Sequence, residues 1–115
     1  MTDNGAHSEG RLPFTVATTP TARGALTVAV AGEVDHVTVT DLADAFDKAL
    51  EQTPDALLID LGNVEFCGST GLAQLIRLNS LCHTEGIDLR LKPSPSVRKV
   101  VTTAGLKDVL PLVNA

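Results

Sequence analysis

The apolar positions of this chain change period several times, and each change marks an element. Leu12, Phe14 and Val16 alternate with Arg11, Pro13 and Thr15, the period-two pattern of a half-buried strand. Pro13 has no N–H to give a ladder, which places that strand at a sheet edge. Thr18 to Gly24, with Pro20 and Gly24, reads as a turn. Ala25 to Ala31 is a second strand with Leu26, Val28 and Val30 on one face and Thr27 and Ala29 on the other, joined to the first as a hairpin. Gly32-Glu33-Val34-Asp35-His36 breaks it. Thr38 then stands as a helix N-cap, with Asp41 three residues on as in a capping box. The helix it opens runs to about Gln52: Val39, Leu42, Ala43, Phe46, Ala49 and Leu50 share one face, and Asp41, Asp44, Asp47 and Glu51 form an opposite, solvated one.

Thr53-Pro54-Asp55 stops that helix, and Ala56 to Leu61 follows, apolar on both faces as in a central parallel strand. Asp60 interrupts it and reads as a backbone- or water-bonded group at the strand's end. Gly62-Asn63 reads as a turn and Phe66 as a core plug. A helix from about Ser69 to His83 places Leu72, Leu75, Ile76, Leu78 and Cys82 in one arc toward the sheet, with Leu81 on the other side beside Gln74 and Arg77. Gly86 ends it. Ile87, Leu89 and Leu91 alternate with Asp88, Arg90 and Lys92 in a further strand. Ser94 or Ser96 caps a last helix, with Pro95 in its first turn and Val97, Val100 and Val101 turned inward. Gly105 stops it, and Val109 to Val113 is a short final strand or an extended tail. The order β-β-α-β-α-β-α-(β) predicts an α/β fold with a mixed, mostly parallel sheet of four to five strands and an antiparallel N-terminal edge. Three alternating strands leave one sheet face polar, so the helices are expected mainly on the other.

Composition adds bounds. At 115 residues, 43% apolar and 20% charged, the chain is one globular domain. Residues 1–10, small and polar, read as a flexible tail containing His7, and residues 11–115 as the single domain. No apolar run approaches the roughly 20 residues of a membrane span, and the start lacks the basic and apolar regions of a secretory signal, so a cytoplasmic location is expected. A net charge of −5, with three Phe, no Trp and no Tyr, argues against nucleic acid and leaves a protein or small molecule as partner. The basic pair Arg98-Lys99 is too small for a membrane-surface patch. Two cysteines, Cys67 and Cys82, make no disulfide framework. Cys82-His83 is not spaced for chelation, and His7 and His36 lie in unrelated segments, so no metal site is read.

The chemistry-bearing stretch is Cys67-Gly68-Ser69-Thr70-Gly71-Leu72, where an apolar strand passes into a helix through small residues carrying two hydroxyls. It is not the G-x-S-x-G of a hydrolase elbow. Neither G-x-G-x-x-G nor G-x-x-x-x-G-K-[ST] occurs, so no cofactor is read. Cys67 beside a helix start has an argument for a lowered pKa and apolar neighbours that argue the reverse. Ser69 is a strong N-cap type, so a structural role competes with a functional one.

Two motifs bear on that choice. Gly32-Glu33-Val34-Asp35 followed by Thr38 is similar to the G-E-[LV]-D loop of the STAS domains of bacterial anti-sigma factor antagonists. Ile59-Asp60-Leu61, Val64, Phe66 and Ser69-Thr70-Gly71-Leu72 resemble the family's strand and D-S-[ST]-G-[LV] turn, and the likeness runs from about Leu12 to Leu112. The resemblance implies a non-enzymatic regulator of transcription in a stress response that binds an anti-sigma factor, often itself a serine kinase, and so frees a sigma factor. It implies phosphorylation by that kinase at Ser69, with reversal by a phosphatase, and a docking surface of Glu33, Asp35, His36, Gly68, Ser69, Thr70, Gly71 and Leu72. The family's usual Asp before the acceptor is Gly68 here, and Thr70 is the alternative acceptor. Two further readings stand beside it: a STAS-like module for a small ligand or signalling complex without reversible phosphorylation, and an enzyme using Cys67 or Ser69.

Overall fold

Three neighbouring strands align their apolar residues in cross-strand rows, Leu26 with Leu57 and Leu89, and Val28 with Ile59 and Leu91. All six are buried, and they form the floor of the core. The computed structural model describes residues 13–113; Leu12, His7 and the stretch 1–10 lie outside the described residues. The elements are β1 (Thr15–Ala22), β2 (Ala25–Val34), α1 (Val39–Glu51), β3 (Ala56–Cys67), α2 (Ser69–Glu85), β4 (Asp88–Pro93) and α3 (Pro95–Thr103). They build one sheet in the order β1-β2-β3-β4, with β1 antiparallel to β2 and the other pairs parallel. Helix α1 packs on β1 and β2, and α2 and α3 on β3 and β4. The opposite face carries the row Thr19, Thr27, Leu58 and Arg90 and is partly or fully open. A parallel bridge from Leu91 to Leu112, with Val113 N–H donating to Leu91 O at 2.8 Å, lays the C-terminal tail along β4. No helix among the described residues is long and apolar enough to cross a membrane.

The strands are longer than their patterns predict. Thr18 to Ala22 is strand, not turn: Thr18, Thr19, Pro20 and Ala22 pair with β2, the register shifting at Thr21, and the reversal needs only Arg23 and Gly24, the latter at φ 75°. Pro20 is tolerated because β1 is an edge. Gly32-Glu33-Val34 does not break β2 but pairs with β3 as far as Val34↔Cys67. Gly32 keeps the ladder going at φ 96°, with the backbone of Pro13 and Phe14 within 3.0 Å of where a Cβ would be. Gly62-Asn63 likewise lies inside β3. Asp60 is in the strand interior, where its Oδ1 accepts from Gly62 N–H at 2.9 Å.

Extra residues in β3 overturn the reading of Phe66 as a core plug. Ala29 and Ala31 pair with Asp60 and Asn63, and Gly32 and Glu33 with Val64 and Phe66, so β3 gains one residue at each of two bulges. Its buried positions are then Leu61, Val64 and Cys67, spaced by three, and Phe66 turns outward with 50% of its surface exposed.

The helices also depart from their patterns in detail. On α2 the buried line is Gly71, Leu75, Leu78 and Cys82. Ile76 lies roughly 135° from the centre of that line at 100° per residue and is exposed, whereas Leu81 lies nearer and is half-buried. Gly86 closes α2 in the left-handed conformation. On α3 it is Ser94 that caps, accepting from Val97 N–H at 3.1 Å, and Val97 and Val101 are buried. Arg77 on α2 reaches Asp47 on α1 at 2.8 Å; both are nearly half exposed, so the pair contributes at most about 1 kcal/mol.

Candidate functional site

The end of β2 and the start of α2 are stitched together. Val34 pairs with Cys67, and Gly68 N–H donates to Val34 O at 2.9 Å. Gly71, one turn into the helix, is buried; a Cβ there would stand 2.5 Å from Val34 Cγ1 and 2.8 Å from Cys67 Sγ. Glycine at this position lets Val34 lie against the first turn of α2. The β2–α1 loop and the Gly68–Gly71 turn therefore form one corner.

Thr38 holds the N-cap position of α1, as its place in the sequence predicts, but its side chain makes no cap bond to the helix. The loop before it is shaped by Asp35. Asp35 Oδ1 instead accepts from the N–H groups of Val37 (2.9 Å) and Thr38 (3.0 Å). Thr38 Oγ1 accepts from Asp35 N–H at 3.0 Å and lies 2.8 Å from Glu33 O and 3.3 Å from Asp35 Oδ1. A hydroxyl has one proton, and the nearer carbonyl takes it. The backbone N–H groups of Thr38 and Val37 hold the Asp35 carboxyl below its ordinary value. The tight loop turns His36 and Val37 outward, Val37 to 70% exposure.

Ser69 is not the N-cap of α2. Gly68 holds that place with extended backbone (φ −82°, ψ −177°), and Ser69 is the first helical residue, exposed, as is Thr70. Of the sequence-predicted residues, His36, Ser69 and Thr70 are exposed. Glu33, Asp35, Gly68 and Leu72 are partly buried, and Gly71 alone is fully inside. The ladder brings the Glu33 loop to the turn by pairing Glu33 with Phe66. Sequence reasoning missed Val37 and Phe66 as surface groups of this corner. Nothing in the pattern marks Val37, and only the β3 bulges, invisible in the alternation, turn Phe66 out.

Neither cysteine is activated as a nucleophile. Burial pushes the Cys67 thiol up to about 11, so at neutral pH it stays protonated, with its Sγ 3.7 Å from Gly68 O. Burial raises Cys82 as well. His83 is in the last turn of α2, roughly 20 Å from Ser69 at 1.5 Å per residue. Among the described residues no cluster of three or more His, Cys, Asp or Glu is placed to hold a metal ion. What the corner offers is a neutral hydroxyl at a helix N-terminus, where the backbone dipole also tolerates an anion.

Residues 17–113 match the family model described as Mlab, STAS domain. The anti-sigma-F factor antagonist RsfB of Mycobacterium tuberculosis is 41% identical over 49 residues, a match spanning 43% of this chain and 40% of RsfB, well under half of that relative's length. The crystal structure of an anti-sigma factor antagonist from Mycobacterium paratuberculosis superposes with a TM-score of 0.78 at 31% identity, covering 90% of this chain and 87% of the other. The phosphorylated form of SpoIIAA, a Bacillus cell fate determinant, shares the fold with a TM-score of 0.70 at 20% identity over 88% and 91% of the two chains. With the family match running from β1 into the C-terminal tail, over a sheet of the same kind, the chain belongs to the STAS domain family of anti-sigma factor antagonists.

Proposed function

We propose that this protein binds an anti-sigma factor across the Ser69 corner, so releasing a sigma factor, and that phosphorylation of Ser69 by an anti-sigma factor acting as serine kinase ends the binding. The observation that carries this reading is that Ser69 is exposed on a corner whose cap is Gly68, so its hydroxyl is available for modification without unravelling the helix. A phosphate there adds about −1.5 to −2 charge. At the start of α2 the helix dipole favours it by roughly 0.3–1 kcal/mol, and the fold is retained. A partner pressed flush over Ser69 has to strip water from that charge at a cost of several kcal/mol, with each ~1.4 kcal/mol a factor of ten in affinity.

Each anti-sigma factor encoded in the same genome is to be purified and titrated against the wild-type chain and Ser69→Glu. One of them binds the wild type, and Ser69→Glu weakens it by about a hundredfold or more, since roughly 3 kcal/mol or more is lost. The variant's melting temperature stays near that of the wild type. Equal binding by Ser69→Glu contradicts the reading. Incubation of that partner with ATP adds one phosphate by intact mass to wild type and none to Ser69→Ala; addition to Ser69→Ala instead moves the acceptor to Thr70.

A further inference from the structure

We infer that the anti-sigma factor's footprint runs on from Ser69 onto α3, where an apolar side chain of the partner, flanked by a carboxylate, enters an open hollow beside Lys99. This rests on the proposed reading of Ser69 as the binding corner. The hollow, about 450 Å³, lies between the end of β3, the start of α2 and the C-terminal half of α3. Phe66, Leu72, Val100 and Ala104 give it apolar walls, Ser69 lies on its edge, and among the described residues Lys99 is the one charged side chain lining it.

Phe66 is the telling residue. Of the three phenylalanines Phe46 is fully buried and Phe14 half-buried, while Phe66 is 50% exposed. Its ring folds back over the turn, 3.4 Å from where a Cβ on Gly68 would be. The bulges of β3 thus carry an aromatic ring out of the core and set it against the residue before Ser69. Ser69 is part of the hollow's lining, so a surface that covers Ser69 borders the hollow. Apolar anchors in a desolvated pocket are where binding energy concentrates in protein interfaces.

The shape and charge select the occupant. Small-molecule sites bury about 70–90% of their ligand, whereas this hollow lies open to solvent and suits a side chain presented by a second protein. The chain is acidic overall, net −5, and α1 exposes Asp41, Asp44 and Glu51 on its outer face. Lys99 makes the hollow a cationic spot on an acidic protein, so an acidic-apolar segment is drawn there and not to α1.

The test uses the full chain and the anti-sigma factor that binds it. Ala104 is exposed at the C-cap of α3 with ordinary helical backbone (φ −78°, ψ −3°), so Ala104→Trp fills the hollow without touching the core. Lys99→Glu reverses the charge at an exposed site. Both are expected to melt as wild type does and to raise Kd at least tenfold, and Lys99→Glu is expected to lose most of the salt dependence of binding. Arg90→Glu, on the open sheet face, leaves Kd unchanged. If Ala104→Trp and Lys99→Glu bind as wild type while Ser69→Glu does not, the hollow is outside the interface and only the Ser69 reading survives. If Ser69→Glu also binds normally, both fall. A change in self-association of Ala104→Trp by sedimentation, with partner binding intact, assigns the hollow to a second copy and overturns the inference.

Discussion

Gly71→Ala separates two opposed effects at the corner. Replacing glycine by alanine inside a helix normally gains up to about 1 kcal/mol. Here the new methyl would stand 2.5 Å from Val34 Cγ1 and 2.8 Å from Cys67 Sγ, closer than atoms can pack. Neither neighbour is a flexible surface group. Val34 is 1% exposed and Cys67 5%, both lie in paired strands, and a β-branched Val has little rotamer freedom to give way. Overpacking of this kind costs about 1–3 kcal/mol, and two contacts under 3.0 Å with buried side chains place it in the upper part of that range, so it outweighs the propensity gain. The net loss is about 1–2 kcal/mol, or roughly 4–10 °C in Tm for a domain of this size. Urea melts at constant m measure it. A cycle with Val34→Ala sharpens the assignment: that variant alone costs on the order of 2 kcal/mol, but the double variant loses less than the sum by about 1 kcal/mol or more, because the truncated Val34 leaves room for the new methyl. A Gly71→Ala protein as stable as wild type, or an additive cycle, would refute the packing of β2 against the first turn of α2.

Three further outcomes follow from single contacts. The Asp35 carboxyl, held by the N–H groups of Thr38 and Val37, titrates below its ordinary value of 3.8. A depressed folded-state pKa means its contribution to stability is present above that value and lost as pH falls through the lower one; a carboxyl-carbon NMR titration centred at or above 3.8 contradicts it. Ser94 is 3% exposed and caps α3 through Val97 N–H, so Ser94→Ala costs about 1–2 kcal/mol in a urea melt, and a neutral substitution would show the cap to be idle. Gly68 has extended backbone, and an added Cβ makes only ordinary contact with the Phe66 ring at 3.4 Å, so Gly68→Asp folds normally. Under the proposed reading it is expected to raise the rate at which a partner kinase phosphorylates Ser69, read by intact mass; an unchanged rate removes any role for a carboxylate at this position.

The sheet was legible because its core-facing residues alternate without interruption where it matters: Leu26, Val28 and Val30 in β2, Leu89 and Leu91 in β4, and the continuous run Ala56 to Leu61 in β3. Helix positions were legible from period and from Ser94 and Gly86 at the ends. The illegible parts are those where glycine or an extra residue changes the geometry without changing composition. Gly32 and Gly62 look like strand breakers, yet both lie within strands, Gly62 at the bulge of β3 and Gly32 paired with Val64 at a φ and a spacing that exclude a side chain. Phe66 is indistinguishable in sequence from a core phenylalanine such as Phe46, and only the two bulges send it outward. The capping of α1 misread for a different reason. Thr38 is the N-cap, but its hydroxyl is turned back onto Glu33 O, a residue five earlier, and so does not reach the first-turn N–H groups. Asp35 instead bonds the loop N–H groups of Val37 and Thr38 that precede the helix.

The corner's stiffness bears on how a switch at Ser69 would act. Its geometry rests on backbone pairing of Val34 with Cys67, the Gly68 N–H to Val34 O bond, the Asp35 loop and the Gly71 contact, and none of these involves the Ser69 hydroxyl. A charge placed on that hydroxyl therefore breaks none of these bonds. The Cys67 thiol is protonated and His83 lies at the far end of α2, so neither of these two groups is placed to activate Ser69. Under the proposed reading the hydroxyl is acted upon, and the whole effect of the phosphate appears at the surface it presents. The free phosphorylated and unphosphorylated chains should then give backbone amide spectra that differ only at residues bordering Ser69. Shifts spreading along β2 or into α1 would mean that the modification works through a conformational change after all.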